Sequence, residues 1–110
     1  MARAIQVATE SDGCYLVAIV GPEDDQLYWP TWCVESDRVD GPYSLGNWIR
    51  FKPSDWHPVE APFPAHVQRV VEWAESIEDL DQVGRRDGRG WMPRFQPGNH
   101  PGLDEGTSPP

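Results

Sequence analysis

Apolar and polar positions alternate from the start of the chain. In "AIQVATES" Ile5 and Val7 share one face, the period-two signature of a half-buried strand. Asp12-Gly13 then carries a strong hairpin-turn signal. "CYLVAIV" (14–20) follows as an apolar, β-branched run suited to a strand buried on both faces. Gly21-Pro22 and the acids Glu23, Asp24 and Asp25 mark a solvated turn. "LYWPTWCV" (27–34) reads as a third strand, where Pro30 cannot donate to a ladder and so demands an edge position or a bulge. "ESDRVDGPYS" reads as a loop. "LGNWIRF" (45–51) reads as a fourth strand, with Trp48 and Arg50 on one face and Ile49 and Phe51 on the other. Four prolines in "KPSDWHPVEAPFP" predict an extended connector.

The period then changes. Val67, Val70, Val71, Ala74 and Ile77 follow the spacing of one helix face, with Gln68, Arg69, Glu72, Glu75 and Glu78 opposite. A helix is expected over 70–80, and 65–69 stays open between a closing strand and an early helical turn. Pro64 suits a first turn. From residue 84 onward there are six glycines and five prolines among 27 residues, above the roughly 25–30% that marks low-complexity sequence. The chain thus divides into a domain over 1–83 and a Gly/Pro-rich tail over 84–110. Short strands followed by one amphipathic helix predict a mostly β fold, a small β-barrel plus helix.

Order and hydrophobic spacing over about 4–70 resemble the cold-shock-like branch of the OB-fold. "DGCYLVAIV" is similar to that family's second strand, "LYWPTWCV" to its third, "SLGNWIRF" to its fourth and "PAHVQRV" to its closing strand. The resemblance implies single-stranded nucleic-acid binding by stacking aromatics, and it is where this chain departs. The stacking positions of the second strand fall at or near Cys14 and Leu16. Tyr28 matches an aromatic position of the third strand, but Pro30 and Thr31 replace the His and the second ring. The family's exposed lysines have no counterpart. Single-strand binders need a positive groove beside their stacking rings.

Charge bears on the same point. Net charge is −9, with −6 over 1–62, −4 over 63–83 and +1 over 84–110. An acidic body is poorly built to neutralise phosphates. Six Trp, three Tyr and three Phe fill the core of a chain of 110 residues, yet alternating strands leave some rings facing out. Outward rings are enriched at binding hot spots. The set of Tyr28, Trp29, Trp32, Trp48 and Trp56 is therefore divided between barrel packing and a partner contact. In the tail, "RRDGRGWMPRF" sets Trp91 and Phe95 among Arg85, Arg86, Arg89 and Arg94. It reads as a disordered tail, as a linear motif with the two rings as anchors and the arginines as steering charges, or as a segment folding back on the acidic body.

Chemistry finds little footing. Cys14, Cys33, His57, His66 and His100 lack the usual zinc spacings. The acid runs 23–25 and 35–37 lie in turns, and no Gly-rich phosphate loop is present. Catalysis, metal and cofactor are not expected. Met1–Glu10 has no long apolar run and no stretch approaches a membrane span, so the default is a soluble intracellular protein, cytoplasmic or nuclear, with reduced thiols. A disulfide stays open because the two cysteines fall in strands expected to be neighbours. The expected function is a non-enzymatic interaction module that binds a protein partner through Tyr28, Trp29, Trp32, Trp48, Trp91 and Phe95. The resemblance adds an adaptor role in an RNA-regulatory complex. Direct single-stranded RNA or DNA binding, and an acidic inhibitor or accessory protein imitating nucleic-acid charge, are the alternatives.

Overall fold

The computed structural model describes residues 3–11, 14–48, 57–88 and 90–94. Seven strands and two α-helices are formed there: β1 (Ile5–Ser11), β2 (Cys14–Ile19), β3 (Pro30–Glu35), β4 (Arg38–Ser44), α1 (Leu45–Trp48), β5 (His57–Val59), α2 (Ala65–Glu75), β6 (Gly84–Asp87) and β7 (Gly90–Pro93). The expectation of a mostly β chain holds. The expected closed barrel does not: five antiparallel strands lie in the order β4-β3-β2-β1-β5, with β4 and β5 as edges among the described residues.

The period-two pattern sorts the sheet into two faces. Ile5, Val7, Val17, Ile19, Trp32 and Val34 project to one side, in register across β1, β2 and β3. There they meet Val67, Val70, Val71, Trp73 and Ala74 of α2. Trp32 and Trp73 pack edge to face with centroids 5.3 Å apart, a geometry the ring quadrupole favours. Among the described residues the indole N–H of Trp32 has no hydrogen-bond partner, and its fully buried ring fills the space beneath α2. On the other side Ala8, Leu16, Ala18 and Cys33 pack with Trp29 and Leu45. The pairs Val7↔Val59 and Thr9↔His57 add β5 to β1, where an extended connector was expected.

Other expectations are corrected by local chemistry. Leu27 and Tyr28 belong not to the third strand but to a 3₁₀ helix over Glu23–Tyr28. β3 begins at Pro30 and lies between β2 and β4, so Pro30 is neither at an edge nor in a bulge. A proline at the first strand position sacrifices no ladder bond. The segment read as a loop is β4, which turns back after Ser36-Asp37 and pairs Glu35 with Arg38. The irregularity falls opposite it, between Thr31 and Cys33, where Gly41 adopts φ +130° beside Pro42. The start of the expected fourth strand is the short helix α1, since Gly46-Asn47 are poor strand formers; Ile49, Arg50 and Phe51 lie outside the described residues, as do Trp56 and the Asp12-Gly13 turn.

α2 begins at Ala65, which settles 65–69 as helix, and stops at Glu75 rather than Leu80. The Ser76 hydroxyl donates to Trp73 O there. Glu78, Asp79 and Asp81 would otherwise set negative charge against the negative end of the helix dipole. Asp79 instead caps a 3₁₀ turn, accepting from the Asp81 N–H at 3.0 Å. The cysteines expected as reduced thiols are joined as a Cys14–Cys33 disulfide between β2 and β3, with Cα atoms 6.4 Å apart. Their strands pair with Leu16 opposite Cys33, which makes Cys14 and Cys33 diagonal neighbours.

Candidate functional site

The tail expected to begin at residue 84 is ordered at its start. β6 and β7 form a hairpin, Gly84↔Pro93 through Asp87↔Gly90, with Gly88 at φ +63° in the two-residue turn. The hairpin is tied to the body twice. Trp91 N–H donates to the buried Ser44 hydroxyl at 3.0 Å. Arg94 N–H donates to Val83 O at 3.2 Å. Trp91 is 8% exposed. Of the three tail readings, folding back onto the body describes residues 84–88 and 90–94; Arg89 and Phe95 lie outside the described residues.

Docking this hairpin creates a groove. Tyr28 stands at the end of its 3₁₀ helix, and Tyr28 and Trp91 together line two adjoining hollows. The larger, about 360 Å³, is bounded by Leu27, Ser44, Asn47, Asp87 and Met92. The smaller, about 210 Å³, is bounded by Arg3, Val20, Pro22, Asp25, Leu80 and Arg86. Three large apolar side chains are exposed among the described residues: Val20 (38%), Tyr28 (39%) and Met92 (43%). All three lie on this groove.

The remaining expected site residues have different surroundings. Trp29 is buried; its indole N–H donates to Pro22 O at 2.9 Å, and its ring backs the smaller hollow. Trp32 is fully buried under α2 and takes no part. Neither tryptophan of "LYWPTWCV" faces out: Trp32 lies in the central strand β3 under α2, and Trp29, just past the 3₁₀ helix, packs against the other face of the sheet with Leu16 and Leu45. Trp48 is half-buried, donates to Thr31 O at 3.0 Å and packs edge to face on Tyr43. Arg86 lies over the Trp91 ring, 5.8 Å from its centroid, a cation–π contact. Arg85 is exposed and sits opposite Met92 in the hairpin register. Arg94 is exposed just beyond β7.

Sequence reasoning missed Met92, Val20, Leu27 and Arg3. Arg3 is held against the C-terminal end of α2, donating through Nε to Ile77 O at 2.6 Å and through Nη2 to Glu78 O at 3.1 Å. These carbonyls are neutral acceptors, and a cation is favoured at that helix end. A basic residue ahead of the first strand carries no local sign of this contact. Met92 was visible only as part of the tail motif.

Chemically the groove offers apolar contact with a balanced set of charges, Asp87 on the larger hollow and Arg3, Asp25 and Arg86 on the smaller. The disulfide removes Cys33 as a nucleophile for His57 or His66, and His66 packs edge-on against Tyr15. Among the described residues no group of three His, Cys, Asp or Glu side chains is arranged to hold a metal ion, and no helix is long and apolar enough to cross a membrane. No family model matches the chain, and no curated protein or solved structure is significantly similar to it.

Proposed function

We propose that the protein is a non-enzymatic interaction module and that it binds a protein partner through the groove at Tyr28 and Met92. The observation that carries this reading is that Val20, Tyr28 and Met92, the exposed large apolar side chains of the described residues, all line two hollows that share Tyr28 and Trp91, Val20 on the smaller and Met92 on the larger. Scattered apolar residues on a surface are ordinary, whereas a contiguous set with a polar rim is a recognition surface. Aromatic and methionine side chains are enriched at the centres of such contacts. The adaptor role in an RNA-regulatory complex belongs to the same proposal and rests on the cold-shock-like sequence resemblance alone, whose expected fourth strand begins as a helix and whose closing segment is helical in the fold.

The surface identified is narrower than the expected one. It keeps Tyr28 and Trp91, leaves Trp32 and Trp48 as packing residues, and adds Met92 and Val20. The test is quantitative affinity capture with wild type and with a Tyr28→Ala/Met92→Ala variant, each captured partner then being purified and titrated against both. A partner whose affinity falls about tenfold or more in the variant, as truncation at a hot spot produces, supports the reading. Partners that bind both proteins equally would place the interface elsewhere.

A further inference from the structure

We propose that the Cys14–Cys33 disulfide is a thiol–disulfide exchange site that opens and recloses within the folded protein. Cys14 is the sulfur that a low-molecular-weight thiol attacks, and Cys33 is the resolving thiol. The inference is independent of the groove and rests on where the two cysteines stand in the sheet.

The two residues differ in access, which decides the sulfur attacked. Cys14 is the first residue of β2 and is half-buried, whereas Cys33 lies within β3 and is 8% exposed. Cys33 stands opposite Leu16, farther along β2 than Cys14, so the direction from Cys33 to Cys14 runs toward the end of the ladder. A thiolate attacks in line with the bond that breaks, and Cys14 offers that approach from the strand end. Cys33 instead is enclosed in a cluster with Leu16, Trp29 and Leu45, against which Trp48 also packs.

The strands also stay together without the bond. Pairs from Tyr15↔Val34 to Ala18↔Thr31 carry the ladder between β2 and β3. On the opposite face Val17, Trp32 and Val34 are buried under α2. Opening the disulfide therefore leaves two thiols beside each other, on Cα atoms 6.4 Å apart, within the span a disulfide bridges. The same pair can close again.

The exchange balances with a monothiol, RSH, as reductant. Its thiolate RS⁻ attacks Cys14 Sγ and bonds to it. The Cys14–Cys33 bond breaks, and its electron pair leaves on Cys33 Sγ, which takes a proton. A second RS⁻ attacks the sulfur of the bound RS group, releasing RSSR and the Cys14 thiolate. Two RSH are thereby oxidised to RSSR while the protein's disulfide is reduced to two thiols. In reverse, RSSR forms the mixed disulfide on Cys14, and Cys33 expels RS⁻. A sulfur anion at Cys33, among apolar side chains, is poorly solvated, so it recloses on Cys14 and keeps the mixed disulfide short-lived.

The test uses the full chain and 2-mercaptoethanol, a neutral monothiol that a chain of net charge −9 does not repel. Protein is incubated with varied ratios of this thiol to its disulfide, acid-quenched, alkylated and mapped by mass spectrometry. Near-ultraviolet circular dichroism follows the tertiary packing. Oxidised and reduced chains should reach the same ratio from either starting form, with the folded signal retained. The mixed disulfide should accumulate on Cys14 in Cys33→Ser, and should form on Cys33 in Cys14→Ser about tenfold more slowly. Reduction no faster than global unfolding would overturn the proposal and make the bond a permanent staple. Equal rates in the two variants, or a faster one at Cys33, would overturn the assignment of roles. Where either variant fails to fold, the acid-trapped mixed disulfide of the wild type decides: on Cys14 it supports the proposal, on Cys33 it sinks it.

Discussion

Tyr28 owes its exposure to the residues on its C-terminal side. Pro30 opens β3, and Leu45 N–H donates to Trp29 O at 2.9 Å, so the chain is pinned one residue beyond Tyr28. Position 28 was legible in the sequence as an aromatic match, but its neighbours Trp29 and Trp32 were not separable by pattern, since a run buried on both faces has no period to read. Gly41 is a residue whose identity the backbone dictates. It has φ +130°, and an added Cβ would lie 2.8 Å from Thr31 O. Gly41→Ala is expected to destabilise the fold by about 1–3 kcal/mol, read as a lower urea midpoint at unchanged slope. An unchanged midpoint would mean that β4 relaxes around the side chain. The mutation should leave partner binding through the groove intact in the folded fraction, because Gly41 does not line it.

Among the elements, strong periodicity was the reliable guide. β1, β2 and the apolar face of α2 follow from spacing alone: β1 alternates, β2 is a short apolar β-branched run bounded by turn signals, and α2 buries one stripe. Elements made by pairing were the ones missed. β4, β5 and the β6–β7 hairpin are rich in Pro, Gly or charge, and they exist as strands because β3, β1 and each other complete their hydrogen bonds. The hairpin is the clearest case: its composition resembles a disordered tail, yet its glycines shape the turn while Trp91 anchors it. A chain ending at Val83 would lose that anchor and uncover Val83, which is buried in the full chain. Removing a buried Trp costs on the order of 3–5 kcal/mol. Truncation after Val83 should lower the thermal midpoint markedly as well as abolish binding. A truncated chain with the full chain's midpoint would show the hairpin to be an appendage.

At the scale of the molecule, two features depend on distant parts of the chain being brought together. The disulfide closes a loop of sequence separation 19, and the chain-entropy model assigns such a closure about 3 kcal/mol of stability. Reduction, followed by alkylation to confirm two free thiols, should lower the stability by about that amount. Alkylation of both thiols in the native protein without reductant would overturn the pairing. The second feature is the segregation of charge. The acid excess over 1–83 is visible in the sequence, and so are the tail arginines. That Arg86 ends beside Tyr28 and Arg3, from the opposite half of the chain, is a result of docking.

Sequence by itself determined the things that local periodicity and charge control: a mostly β chain, one helix with an apolar face, an acidic body and a basic C-terminal segment. Tertiary structure decided that the sheet stays open, that α2 covers Trp32 on the central strand β3, and that Trp29 packs on the opposite face of the sheet. It also decided the groove, since Val20, Tyr28 and Met92 come from three separate segments and meet only when the hairpin packs beside the 3₁₀ helix. The physical reason is common to all of these. A side chain's period reports which face it occupies, while exposure depends on what covers that face, and the covering residues lie far away in sequence.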